Sequence, residues 1–304
     1  MRPVLIHEVG LRDGLQSERQ IVPTALKADW LGRLIEAGLD LVQVGSFVNP
    51  AKVPPMADTD ELFRRFRDRP RGRTRLSALV LNEKGLERAL DCGVDLVCAG
   101  ASASETHSQR NTGVGTAEAV ARVLAIADAA RKAGLEVQAS VQSAFGCGFE
   151  GPVGETRVMG MVAAYVQAGL RHVSLADTAG HGHPAQVAAY VRRILALCPE
   201  AEVTVHLHDT YGLGMANAYA AMEAGAAALE TSFGGLGGCP FTKVAAGNLA
   251  TEDLVHGLQQ AGQRLDLRLD RIIGVAQEAA MALGRELPGR VYRTGGIRAV
   301  PALV

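Results

Sequence analysis

Two periods alternate along the chain. Helix-like stretches such as "TALKADWLGRLIEAG" (24–38) and "TAEAVARVLAIADAARKAG" (116–134) stop at a glycine, and a short apolar run follows at once. The joint recurs as "EAGLDLV" (36–42), "DCGVDLV" (91–97), "KAGLEVQ" (132–138), "QAGLRHV" (167–173) and "EAGAAAL" (223–229). Glycine takes the left-handed conformation that ends a helix without steric cost, so Gly38, Gly93, Gly134, Gly169 and Gly225 mark five helix-to-strand joints. Filling the intervals gives eight strand candidates: "PVLIHEV", "DLVQVGSF", "RLSALVL", "DLVCAGAS", "EVQASVQS", "RHVSLADT", "VTVHLHDT" and "ALETSFGG". Strands alternating with helices imply a parallel sheet, and eight such units predict a TIM (β/α)8 barrel. A doubly wound open sheet is the alternative. Polar residues decide for the barrel, because Asp13, Gln43, Ser46, Ser102, Gln142, Asp177, His206, His208 and Ser232 fall at or just beyond strand ends, where a barrel builds its site.

Beyond the eighth unit, "LDRIIGVAQEAAMALG" (269–284) predicts one more amphipathic helix ended by Gly284, followed by a loop-rich tail. No linker divides the chain. The expectation is one catalytic domain over 1–304, the barrel filling about 1–262 and the helical extension about 263–304. At 304 residues and 48% hydrophobic content, a large core is available without staples. Charge narrows the partners: 31 Lys+Arg against 32 Asp+Glu leave a formal −1, which disfavours nucleic acid and favours a small molecule. The five cysteines form no CxxC pair, which argues for a reducing compartment over a disulfide framework. No apolar run is long enough for a membrane span and no signal peptide opens the chain, so a cytoplasmic location is expected.

The candidate chemistry begins in "TVHLHDTYG" (204–212). Residues i and i+2 of a strand share a face, so His206 and His208 project together and can hold one cation. Two imidazoles under-ligate a metal; Asp13, beside Arg12 in "EVGLRDGLQSE", and Asn248, in "GGLGGCPFTKVAAGN", offer oxygens. A mixed N/O set with room for water or substrate suits Mg2+ or Mn2+, and Zn2+ or Co2+ less. Cys239, on the glycine-rich loop, is a candidate acid/base thiol. "GCGFEG" (146–151) matches a dinucleotide-binding pattern, but Pro152 and Gly154 follow where a helix should open, so it is read as a barrel loop.

Together, "EVGLRDGLQSE", "GSFVNPAKVPPMADTDE", "SLADTAG", "VHLHDTYG" and "GLGGCPFTKVAAGNLATEDLV" resemble the 3-hydroxy-3-methylglutaryl-CoA (HMG-CoA) lyase family, metal-dependent barrel lyases related to isopropylmalate and homocitrate synthases. The likeness runs from about Val4 to Leu254. It implies an acyl-CoA substrate cleaved to acetyl-CoA and a keto acid such as acetoacetate, and a homo-oligomer, dimer or tetramer. By the same resemblance Asp13, His206, His208 and Asn248 hold the cation, with Arg12, Asp13, His206 and Cys239 as catalytic residues. Arg12, Gln43, Ser46, Asp177 and Thr178 line the substrate site, while Arg19, Arg110 and Lys243 are candidates for the coenzyme's phosphates. One position departs: the family carries glutamate where this chain has Gln43, which keeps the shape but loses the charge. That leaves open another 3-hydroxyacyl-CoA, such as citramalyl-CoA or a longer branched analogue. Also open are a Claisen-type synthase or aldolase of the same barrel group, and an inactive barrel that only binds acyl-CoA.

Overall fold

The structure is a computed structural model that describes residues 3–238 and 247–297. Eight parallel strands close a barrel in sequence order: β1 (Leu5–Glu8), β2 (Leu41–Ser46), β3 (Arg75–Leu79), β4 (Leu96–Ser102), β5 (Glu136–Gln142), β6 (His172–Asp177), β7 (Glu202–Leu207) and β8 (Ala228–Thr231). All eight predicted strands are present. Around them run α1 (Thr24–Glu36), α2 (Thr59–Phe66), α3 (Glu83–Cys92), α4 (Glu105–Thr112), α5 (Thr116–Lys132) and α6 (Glu155–Gln167). Next come α7 (Pro184–Leu197), α8 (Gly214–Glu223) and α9 (Thr251–Gln260), then α10 (Leu269–Leu283) and the single turn α11 (Val291–Thr294), which lies in what the sequence reads as loop. The five joint glycines all take positive φ, from 72° at Gly93 to 100° at Gly225, so any side chain there would strain the strand that follows.

The main apolar core lies between sheet and helices; the barrel interior is different. Inside, the apolar material is a small plug of Leu41, Leu96 and Cys98 with Leu79 against it. Much of the rest is polar: Gln138 Nε2 donates to Glu230 Oε1 at 2.5 Å, and Thr204 Oγ1 donates to Gln138 Oε1 at 3.4 Å. Such an interior departs from the branched aliphatic layers that fill most barrels of this kind. It is a floor for charged side chains. Burial pushes the Cys98 thiol up to about 12, so this cysteine is inert under the site.

α10 docks across α1. Trp30 is fully buried there, its ring edge-on to Phe233 at 5.6 Å and its Nε1 donating to Glu278 Oε2. Burying a large side chain stabilises by about 1.5–3 kcal/mol, whereas a half-exposed pair such as Arg33–Glu278 contributes about 0–1 kcal/mol. Apolar contact therefore holds the extension in place.

Candidate active site

Three segments converge at the C-terminal mouth of the barrel. After β1 the chain winds into a π-helical turn, Gly10–Gly14, that projects Arg12 and Asp13. The turn is tight enough that a Cβ on Gly10 would lie 2.5 Å from the Phe233 ring. His206 comes from β7, and His208 lies one residue past its end, bridged antiparallel to Asn248. Asn248 precedes α9.

The donor atoms face each other. His206 Nε2 and His208 Nε2 stand 3.0 Å apart, and Asp13 Oδ2 is 3.9 Å from His206 Nε2. The far nitrogens are engaged: His206 Nδ1 pairs with Glu230 Oε2 at 2.9 Å, and the His208 ring with the Thr178 backbone. Each ring thus donates away from the site and turns a lone pair into it. Two lone pairs at that distance share one proton or one cation. Burial works against charge on His206, but Glu230 and Asp13 outweigh it and raise its pKa; burial and the charge on His206 press His208 down to about 4. Burial would raise Asp13, yet Arg12 and the two imidazoles hold it at about 2.

The fourth expected ligand makes a direct test. Asn248 Nδ2 donates to Asp13 Oδ2 at 2.9 Å and to the Leu236 carbonyl at 2.8 Å, while its buried Oδ1 has no partner among the described residues. An orphaned buried oxygen beside a carboxylate and two nitrogen lone pairs is the donor set of a divalent cation. The residues fit the metal. Asp13, His206 and His208 place their ligand atoms within 4.8 Å of one another.

Arg12 is fixed from two sides, Nε donating to Gln43 Oε1 at 2.6 Å and NH1 to Asp13 Oδ1 at 2.5 Å. Gln43, expected to line the substrate site, is buried behind Arg12 and is not among the residues lining the cavity. Ser46 and Thr178 line a cavity of about 750 Å3 together with Arg12, Asp13, His206 and His208. Arg19 also lines it, as does Gln142, a strand-end polar residue of the sequence pattern, together with Gln16, Lys52, Asn111 and Ser140, which the sequence did not single out. Asp177 sits beside the cavity rather than in it. Its oxygens accept from the His181 and Gly182 backbone, holding the loop after β6, and burial raises it to about 6. Arg110 lies over the Phe149 ring at 4.1 Å and is not among the lining residues, although its chain neighbour Asn111 is. Cys239 and Lys243 lie outside the described residues. The "GCGFEG" segment is the β5–α6 loop, with Cys147 and Gly151 paired backbone to backbone.

The sequence profile of the HMGL-like family matches residues 3–278. The chain belongs to that family. It is 36% identical over 289 residues to the hydroxymethylglutaryl-CoA lyase YngG of Bacillus subtilis, covering 95% of this chain and 96% of that one. It is 37% identical over 305 residues to the (R)-citramalyl-CoA lyase of Chloroflexus aurantiacus, covering 98% and 96%. Among solved structures, the HMG-CoA lyase of A. baumannii, in complex with coenzyme A and 3-methylmalate, superimposes with a TM-score of 0.90 at 34% identity over 98% of each chain. This HMGL-like chain is a carbon–carbon lyase. Its site also contains a residue the sequence reading passed over, Glu230. The carboxylate sits in "ALETS" on β8, and the parallel pairing of β7 with β8 sets it opposite His206. Glu230→Gln is expected to lose about 10–100-fold in cation affinity or turnover, because an amide cannot hold His206 in its tautomer with a charge. Mn2+ titration and steady-state kinetics check this, and an unchanged variant would remove Glu230 from the site.

Proposed function

We propose that this chain cleaves HMG-CoA, or a close 3-hydroxyacyl-CoA, to acetyl-CoA and a keto acid such as acetoacetate, with Mg2+ or Mn2+ held by Asp13, His206, His208 and Asn248. The observation that carries the reading is the convergence of two imidazole lone pairs, the Asp13 carboxylate and the orphaned Asn248 oxygen beside a cavity roomy enough for an acyl thioester. When bound there, a divalent cation would polarise the tertiary hydroxyl and an acyl carboxylate and fix their geometry.

The residues do the rest. Cleavage removes the proton from the hydroxyl and leaves negative charge on the thioester fragment. Asp13 or His206 takes that proton, a role worth about 10²–10⁴-fold. Arg12, a permanent cation held by Gln43 and Asp13, faces the enolate oxygen as charge develops. Cys239 is the donor we assign to the acetyl-CoA carbanion, on the family resemblance alone.

Acetyl-CoA release from HMG-CoA and from citramalyl-CoA, with Mg2+ and with chelator, tests the reading. Release from neither thioester would sink it and leave an acyl-CoA-binding barrel. Gln43 and the C. aurantiacus relative favour citramalyl-CoA as the second reading. Comparing Gln43→Glu with the native chain decides: the glutamate should shift kcat/KM toward HMG-CoA if this position sets acyl choice.

A further inference from the structure

Outside the cavity, two carboxyl groups lie fully buried where the Arg12–Asp13 turn, the turn after β8 and the start of α9 meet. Strand alternation sends His7 into the barrel and Glu8 into the layer beneath α9. Glu8 Oε1 accepts from the Gly10 amide at 2.6 Å and from the Phe233 amide at 3.1 Å, and Oε2 accepts from Thr251 Oγ1 at 2.6 Å. Those donors open, respectively, the turn carrying Arg12 and Asp13, the turn after β8 whose Leu236 carbonyl holds Asn248, and the helix that follows Asn248. One carboxylate therefore ties the three together. On the other side of the β8 turn, Glu252 Oε2 accepts from the Gly234 amide at 2.9 Å, and Oε1 has no partner among the described residues. Gly234 in turn accepts from Gly289 of the C-terminal extension. Space is minimal, since a Cβ on Gly289 would come within 2.4 Å of Glu252 Oε1.

We propose that Glu8 and Glu252 are a positioning pair: they lock the Arg12–Asp13 turn, the turn after β8 and Asn248 in one register, so that cation affinity depends on two side chains that touch neither cation nor substrate. The cost of the arrangement is visible. Burial pushes Glu8 up to about 7 and Glu252 to about 8, so these carboxyls are kept in spite of desolvation, where an apolar pair would pack without it. Fold stability alone gives no reason for acids here, and backbone amides are poorly registered by apolar side chains. Carboxyls register them.

The proposal rests on the cation site above, and its test needs no substrate. Mn2+ affinity is measured by titration on the native chain, Glu8→Ala, Glu8→Gln, Glu252→Gln and Thr251→Val, alongside hydrogen exchange of the Gly10 and Phe233 amides. Glu8→Ala should weaken Mn2+ by about 10–100-fold and lose protection at both amides. Glu8→Gln should stay near native. Its amide oxygen still accepts from both backbone groups while its NH2 meets Thr251 Oγ1, whose proton turns to Thr231 Oγ1. Should Glu8→Ala not fold, Thr251→Val removes only the Oε2 donor and should still weaken Mn2+ measurably. Native Mn2+ affinity in every folded variant, with only the melting temperature lowered, overturns the positioning role; a native chain that binds no Mn2+ overturns the cation site as well.

Discussion

Asp13→Asn should lower acetyl-CoA release by about 10³-fold and weaken Mn2+ or Mg2+ binding by about 10–100-fold, without changing the fold. The substitution is isosteric, so the turn Gly10–Gly14 and its backbone bonds to Val9 remain. What disappears is charge. Asp13 is held ionised far below neutral pH, between the Arg12 guanidinium, two imidazoles and the Asn248 amide, and it supplies the anionic oxygen of the candidate ligand set. An asparagine keeps one acceptor for Asn248 but leaves Arg12 beside a neutral group and a divalent cation beside nitrogen and amide donors only. Harder cations then lose their best ligand, and the hydroxyl loses one of its two candidate bases. Cation titration monitored without substrate, followed by turnover at saturating cation, separates the two losses. Turnover within about 3-fold of the native chain would show that the carboxylate neither holds the cation nor takes the proton.

Why some of this site can be read from sequence and some cannot follows from where each signal lies. The joint glycines are local: Gly38 or Gly169 ends its own helix by its own φ, so five of the eight strands follow from a pattern visible within seven residues and the other three from the intervals between them. His206 and His208 are local too, since their shared face is a property of strand period. Asp13 and Asn248 are not, because nothing in spacing says that residues 235 positions apart will hydrogen-bond; their place in loops after strand ends and the family resemblance brought them together. Glu230 and Glu8 were missed for opposite reasons. Glu230 lies among strand residues and points inward, opposite His206 on the neighbouring strand β7, a match that only the β7–β8 register shows, while Glu8 points outward, where alternation predicts an aliphatic residue. Asp177 shows the reverse case. A carboxylate at a strand end reads as a ligand, yet backbone amides of its own loop claim both oxygens, and short-range hydrogen bonding of this kind leaves no mark distinct from a binding role.

Arg12→Lys should separate charge from shape. The guanidinium spends Nε on Gln43 and NH1 on Asp13, and among the described residues NH2 has no protein partner. A fork clamped at two tines therefore leaves its third edge for a ligand in the cavity it lines. Lysine keeps the positive charge, so the cluster of Asp13, Glu230 and two histidines retains its balance and cation affinity should stay within about 3-fold. A single ammonium cannot satisfy Gln43, Asp13 and a substrate oxygen in fixed directions. The enolate would lose a preorganised donor where its charge develops, and kcat should fall by about 10²–10³-fold with a much smaller change in KM. The contrast with Asp13→Asn is the informative part: one substitution strikes cation binding and turnover together, the other turnover alone. Were Arg12→Lys to weaken Mn2+ as strongly as Asp13→Asn, the arginine would belong to the electrostatics of the cation site and the enolate would need another donor. Were it to leave kcat untouched, the bonds from Gln43 and Asp13 would be aiming a side chain that the reaction does not use.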